Sequence, residues 1–169
     1  MKLISVILFS LLLSQNSFSL IKVGDQGLCT ELTTIQQNNQ EILKNTCDSD
    51  NKAGLVLIDF VSATCTYCIG SLPDVAHFAQ EMQGQLTIRQ IGIDRNSDLL
   101  REYWKEHQQY MVFDLALDIQ RIMKNAYQVT AVPTHVLIDK SKKVLFVNVG
   151  ALGEKEYEQV RKIVRLYHE

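Results

Sequence analysis

DFVSATCTYCIGSLP, residues Asp59 to Pro73, sets two cysteines in a CxxC spacing six residues beyond a carboxylate that interrupts an apolar run. The run itself, GLVLIDFV (54–61), has the length and near-continuous hydrophobicity of a strand covered on both faces, with Asp59 as its exception. Beyond the cysteines, TYCIGSLPDVAHFAQEMQ (66–83) predicts a helix interrupted at Pro73. Gly84 and a second strand, LTIRQIGID (86–94), follow. Strand, helix and strand in this order predict a right-handed parallel crossover.

Downstream, a helix beginning near Ser97 places Leu99, Leu100, Tyr103, Trp104 and His107 on one face, which makes Trp104 a core residue. MVFDLA (111–116) reads as a short strand and LDIQRIMKNAYQV (117–129) as a short helix. VPTHVLID (132–139) and KVLFVNVGA (143–151) read as strands, and the short polar turn between them predicts an antiparallel hairpin. The last segment is an amphipathic helix built on Tyr157, Val160, Ile163, Val164 and Tyr167, acidic early and basic late as its dipole prefers. Upstream, LIKV (20–23) predicts a short strand and TELTTIQQNNQEILKNT (30–46) a helix with a weak apolar face through Leu32, Ile35, Ile42 and Leu43.

With 169 residues, 46 % of them hydrophobic, the chain can bury one good core. A formal net charge of -2 and a pI near 6.1 provide no basic field for phosphate backbones or anionic lipid, so nucleic acid is not an expected partner. At the N-terminus, Lys2, the apolar run LISVILFSLLL and the polar stretch ending in Ser17 and Ser19 form a secretory signal pattern, with cleavage expected after Ser19. The run is short for a membrane anchor, and Cys29 lies too far beyond it for a lipoprotein acceptor. The mature chain is expected to be soluble and exported.

Export into an oxidising compartment favours paired thiols, and the four cysteines permit complete pairing. Cys65 and Cys68 are close enough to bond across one turn, which leaves Cys29 and Cys47 for each other. A straight helix over 30–46 opposes the second pairing, because a rise of about 1.5 Å per residue separates its ends by more than ~20 Å. If the pair is bonded, the chain must bend near QNNQ (37–40).

Three readings of the CxxC compete. A structural zinc site needs four ligands, and one CxxC supplies two. A structural disulfide across so short a loop restricts the unfolded chain little. A redox centre explains more. At a strand-to-helix junction Cys65 meets unsatisfied helix N-terminal amides, which stabilise thiolate, and Cys68 can then attack a mixed disulfide to release the substrate.

From Ala53 to its end the chain resembles thioredoxin-fold thiol:disulfide oxidoreductases, nearest to the exported TlpA and ResA-like branch. VLIDFVSATCTYC resembles their strand and active-site turn, with Asp59 where the family places its buried carboxylate and Pro73 at its helix-kinking proline. YQVTAVPTHVLID (127–139) resembles the segment that holds the cis-proline, here Pro133, and VNVGAL (147–152) the closing strand with Gly150. The insertion FDLALDIQRIMKNAYQV (113–129) is what favours the TlpA-like branch over thioredoxin itself. The resemblance implies an α/β thioredoxin fold, a central mixed sheet of four or five strands flanked by helices on both faces. It divides the chain into a signal peptide (1–19), a partly helical N-terminal extension (20–52) and a thioredoxin-like domain (53–169).

The same resemblance assigns roles. Cys65 is the nucleophile, Cys68 resolves, and Asp59 exchanges a proton with Cys68 through water. Val132 and Pro133 offer backbone to an extended substrate strand, with Thr66 and Tyr67 beside it. No dissociable cofactor and no metal are implied. The expected partners are client protein thiols or disulfides and a membrane thiol-redox donor or acceptor, and the chain itself is expected to be a monomer in a bacterial periplasm. Three features depart from the family. Thr64 stands in place of an active-site tryptophan, Thr66 and Tyr67 replace Gly and Pro, and Gln90 replaces the lysine near the buried aspartate. Residues 20–52 also do not resemble the N-terminal hairpin of the TlpA-like branch. The TlpA-like branch implies a reductase, with an oxidant or isomerase of the DsbA or DsbC kind as the alternative. Outside enzymes, a copper-delivery protein using Cys65, Cys68 and His135 is the alternative, since thiolates with imidazole suit copper. His77, His107 and His168 read as surface or packing residues.

Overall fold

The computed structural model describes residues 19–49, 51–52 and 54–168; the signal segment therefore lies outside it, apart from Ser19. A single seven-stranded sheet runs in the order β2-β1-β5-β4-β3-β6-β7. The strands are β1 (Glu31–Ile35), β2 (Glu41–Asn45), β3 (Val56–Val61), β4 (Thr87–Gly92), β5 (Asp114–Leu117), β6 (Thr134–Ile138) and β7 (Val144–Val149). Strands β3, β4 and β5 are parallel, and the other pairings are antiparallel. The helices are α1 (Thr66–Glu81), α2 (Ser97–Glu106), α3 (Ile122–Ala126) and α4 (Glu154–His168). None of the described helices is long and apolar enough to cross a membrane.

The alternation of β3 explains the layering. Leu57 and Val61 face a core shared with α1, α2 and α4, whereas Val56, Ile58 and Phe60 face a second core that includes Met123 of α3 and Tyr127 just beyond it. A buried strand with both faces covered thus reads as a continuous hydrophobic run. Asp59, on the α1 face, is only 2 % exposed. Helix α2 lies so close over β4 that a Cβ at Gly92 would collide with Leu100. Pro73 stands inside α1, which continues through it to Glu81 rather than breaking there; the ring forgoes one backbone donor on an exposed face.

The N-terminal segment differs from its sequence reading. The predicted helix over 30–46 is instead the β1–β2 hairpin, registered Glu31↔Asn45 through Ile35↔Glu41. Thr34 and Ile35 of β1 pair in turn with Ala116 and Leu115 of β5, so residues 20–52 extend the sheet from four or five strands to seven. LIKV forms no strand, and the described part of this segment contains no helix. The hairpin wins because Leu32 and Thr34 turn inward while Glu31 and Thr33 turn out, a period of two that buries one face. Cys29 and Cys47 flank the hairpin and are joined by a disulfide with 5.5 Å between their Cα atoms. Thr46 N–H donates to Thr30 O at 2.9 Å and carries the ladder one step toward that bond.

Candidate active site

The cysteines sit where β3 runs into α1. Cys65 takes extended backbone angles as the N-cap, and its Sγ accepts from the Cys68 N–H at 3.1 Å. Sulfur therefore occupies the place of a capping oxygen, against the positive end of a helix whose first turn holds no acidic residue. Cys65 is partly exposed, Cys68 is 2 % exposed, and a disulfide joins them with Cα atoms 5.2 Å apart. Thr66 is exposed, and Tyr67 stands out to solvent at 79 % exposure.

The turn before Cys65 is held from just beyond the end of β4. Asp94 accepts from Ser62 Oγ at 2.9 Å and from the Ala63 N–H at 2.8 Å. Sequence reading passed over Asp94, although a carboxylate at the C-terminal end of a parallel strand lies where active-site loops gather. On the other flank the Val132–Pro133 peptide is cis, and Val132 O lies 3.6 Å from Cys65 Sγ. The segment leading into β6 thus brings the half-buried Val132 backbone beside the partly exposed sulfur.

Within the sheet, six residues before Cys65, lies a buried polar row centred on Asp59. Asp59 stands opposite Gln90 on β4 and opposite His135 on β6. Gln90 Nε2 donates to Asp59 Oδ2 at 2.9 Å, and Tyr103 OH donates to Gln90 Oε1 at 3.3 Å. His135 Nε2 is 3.3 Å from Asp59 Oδ1, and the imidazole is 1 % exposed. Burial holds His135 below its usual pKa, against the Asp59 charge and the Gly150 backbone, which pull the other way. Burial, with the Asp59 charge adding to it, pushes the Tyr103 phenol up. The sequence left the side chosen by His135 open; cross-strand register turns it toward Asp59.

The structure therefore gathers Asp59, Cys65, Cys68, Thr66, Tyr67, Val132 and Pro133 at one end of the sheet. Cys29 and Cys47 stand apart, at the base of the hairpin. Among the described residues, no three His, Cys, Asp or Glu side chains are grouped to hold a metal. A cleft of about 530 Å³ opens at the opposite end of the parallel strands, lined by Asn51, Thr87, Arg89 and Asp114 among others, and none of the residues around the cysteines lines it.

Comparison with known proteins bears on the same region. A family model described as thioredoxin-like matches residues 54–144, just over half of the chain. No curated protein sequence matches. Among solved structures, the chain resembles the thioredoxin domain of a thiol-disulfide oxidoreductase from Bacteroides vulgatus (18 % identity, 85 % of this chain and 99 % of that one, TM-score 0.69). It also resembles StoA from Bacillus subtilis (15 %, 84 % and 97 %, TM-score 0.63). A third similar structure is the exposed lipoprotein thioredoxin of Streptococcus pneumoniae (19 %, 82 % and 99 %, TM-score 0.66).

Proposed function

The chain belongs to the thioredoxin-like family, and from that premise we propose that it is an exported thiol:disulfide oxidoreductase that reduces disulfides in client proteins. The observation that carries this reading is the placement of Cys65 Sγ at the N-cap of α1, 3.6 Å from the carbonyl that precedes a cis-proline. An amide-lined helix start favours the thiolate, and the Val132 backbone beside it can meet an extended client segment.

In the reduced protein the Cys65 thiolate attacks a client disulfide, forming a mixed disulfide and expelling one client thiol. Cys68 then loses its proton through Asp59 and attacks Cys65 Sγ. The Cys65–Cys68 bond forms, and the second client sulfur leaves with the electron pair and takes up a proton. The client has been reduced by two electrons and the protein oxidised by two. A membrane thiol donor outside the cytoplasm would restore the dithiol, and the final client fits a dedicated protein such as an apocytochrome c. Val132, Pro133, Thr66 and Tyr67 form the client contact.

Equilibration with glutathione at defined ratios tests the direction. A reductase is expected near the thioredoxin end of the scale, about −270 mV; a value near the DsbA end, about −120 mV, would make it an oxidant. Secretion is tested by N-terminal sequencing of exported protein, which is expected to begin at Leu20.

A further inference from the structure

One buried group has no part in the reaction just described, and the inference that follows rests on that reaction. We propose that His135 is the proton partner of Asp59, so that the proton given up by Cys68 is held by a buried Asp59–His135 pair and not by Asp59 alone.

The geometry supplies the reason. Asp59 Oδ2 already accepts from Gln90, so a proton arriving on this carboxylate belongs on Oδ1. A buried O–H needs an acceptor. His135 Nε2 lies 3.3 Å from that oxygen, and neither Oδ1 nor Nε2 has a hydrogen-bond partner among the described residues, while the Gly150 backbone also acts on the ring. With Asp59 ionised, a neutral imidazole that keeps its proton on Nδ1 leaves a bare Nε2 beside Oδ1, two buried acceptors with no hydrogen between them. With Asp59 protonated, Oδ1–H donates to Nε2 and the ring proton stays on Nδ1. The proton taken up thus satisfies both acceptors at once and removes net charge from a site where burial penalises it.

The surroundings favour this exchange. On β4 and α2 the neighbours are Gln90 and Tyr103, both neutral. On β7 Asn148 stands opposite His135, with its amide turned to Gly150 O at 2.8 Å. From α4 the buried Tyr157 phenol feels the Asp59 charge. No Lys or Arg among the described residues forms an ion pair with Asp59 or His135. Burial favours the neutral imidazole, which has a lone pair to offer the Asp59 proton. His135 acts through Asp59 and touches no client, so it is a positioning residue.

Each turnover balances. Cys68–SH releases one proton to the pair as its thiolate attacks Cys65 Sγ; the departing client thiolate takes one proton back, and the client disulfide is the only oxidant.

The test follows reduced full-length mature protein reacting with oxidised glutathione by stopped flow, between pH 5 and 9. Wild type, His135→Gln, Asp59→Asn and the double variant are compared. Glutamine can still donate to Oδ1 but cannot exchange a proton. H135Q is expected to slow resolution of the mixed disulfide roughly tenfold at pH 7, part of the ~10² or more that positioned proton transfer contributes. The gap should close toward pH 9, where hydroxide can take the proton. On the D59N background H135Q should add nothing. In parallel, 15N shifts of the wild-type imidazole are expected to show a neutral ring whose Nε2 changes from a bare to a hydrogen-bonded lone pair as the pair takes up its proton. H135Q with a wild-type pH profile beside a slow D59N overturns the proposal, as does an Nε2 shift that never changes in reduced or oxidised protein. The nitrogen shifts decide alone if H135Q fails to fold. A wild type that exchanges no disulfide at all overturns the underlying reaction, a different failure and visible as such.

Discussion

Cys65 and Cys68 are the same residue type in unlike surroundings, and the division of labour follows from that. Cys65 is partly open to solvent and caps a helix, while Cys68 is buried one turn further in. Cys68→Ser should therefore trap mixed disulfides with client proteins, visible as reducible adducts on non-reducing gels, whereas Cys65→Ser should trap none. Equal trapping by both would reverse or erase the assigned order. Asp59→Asn should slow exchange on the order of 10²-fold near neutral pH. It should leave the thermal midpoint unchanged or higher, because a neutral isostere replaces a buried carboxylate. Unchanged exchange rates from pH 5 to 9 would remove Asp59 as the proton carrier. Asp94→Ala takes two hydrogen bonds from the turn before Cys65 and should cost about 1–3 kcal/mol in denaturant unfolding.

At the scale of elements, the cross-linked hairpin is the part with the most to lose. The Cys29–Cys47 bond closes a loop of 18 residues around β1 and β2, and in the chain-entropy model it stabilises the fold by about 3 kcal/mol. A C29S/C47S double variant should lose about that much in urea. In wild type, mild reductant should open Cys65–Cys68 first, since Cys29 and Cys47 have no helix-terminal position to activate them. Peptide mapping after graded reduction checks the order. This hairpin was also the least legible element in the sequence. Its turn, around QQNNQ, contains no glycine and uses Asn39 at φ 63° for the left-handed step. The apolar residues of EILKN lie on an exposed edge, Leu43 at 65 % exposure, so they imitate a helix face without packing as one. The cysteine spacing held the better clue, since a bond across it excludes a straight helix. By contrast, β3, α1 and β4 were readable because buried parallel strands leave an uninterrupted apolar run. Asp59 stood out against that run, and its neighbours did not: only tertiary pairing reveals that His135 and Gln90 flank it.

For the whole molecule, the buried histidine links stability to acidity. A group whose folded pKa lies below its unfolded value contributes stability that is fully present above the unfolded pKa, about 6.5 for histidine, and is lost as pH falls toward the folded value. The oxidised protein should therefore show a thermal midpoint that declines as pH is lowered from about 6.5, before most carboxylates titrate. H135Q should flatten that part of the curve, a result readable by calorimetry; an unchanged slope would mean that His135 is not the group responsible. The pairing of Asp59 with residues from two different strands has a further consequence, for how the chain assembles. Sliding β6 one place along β3 would send the imidazole to the far face of the sheet, and sliding β4 would do the same to the amide. Either error strands a carboxylate in the dark with nothing to hold, so a mis-threaded sheet is penalised at its centre. The residues that do the chemistry thereby act as the fold's own proofreaders: a molecule able to exchange disulfides is one whose strands have already been aligned.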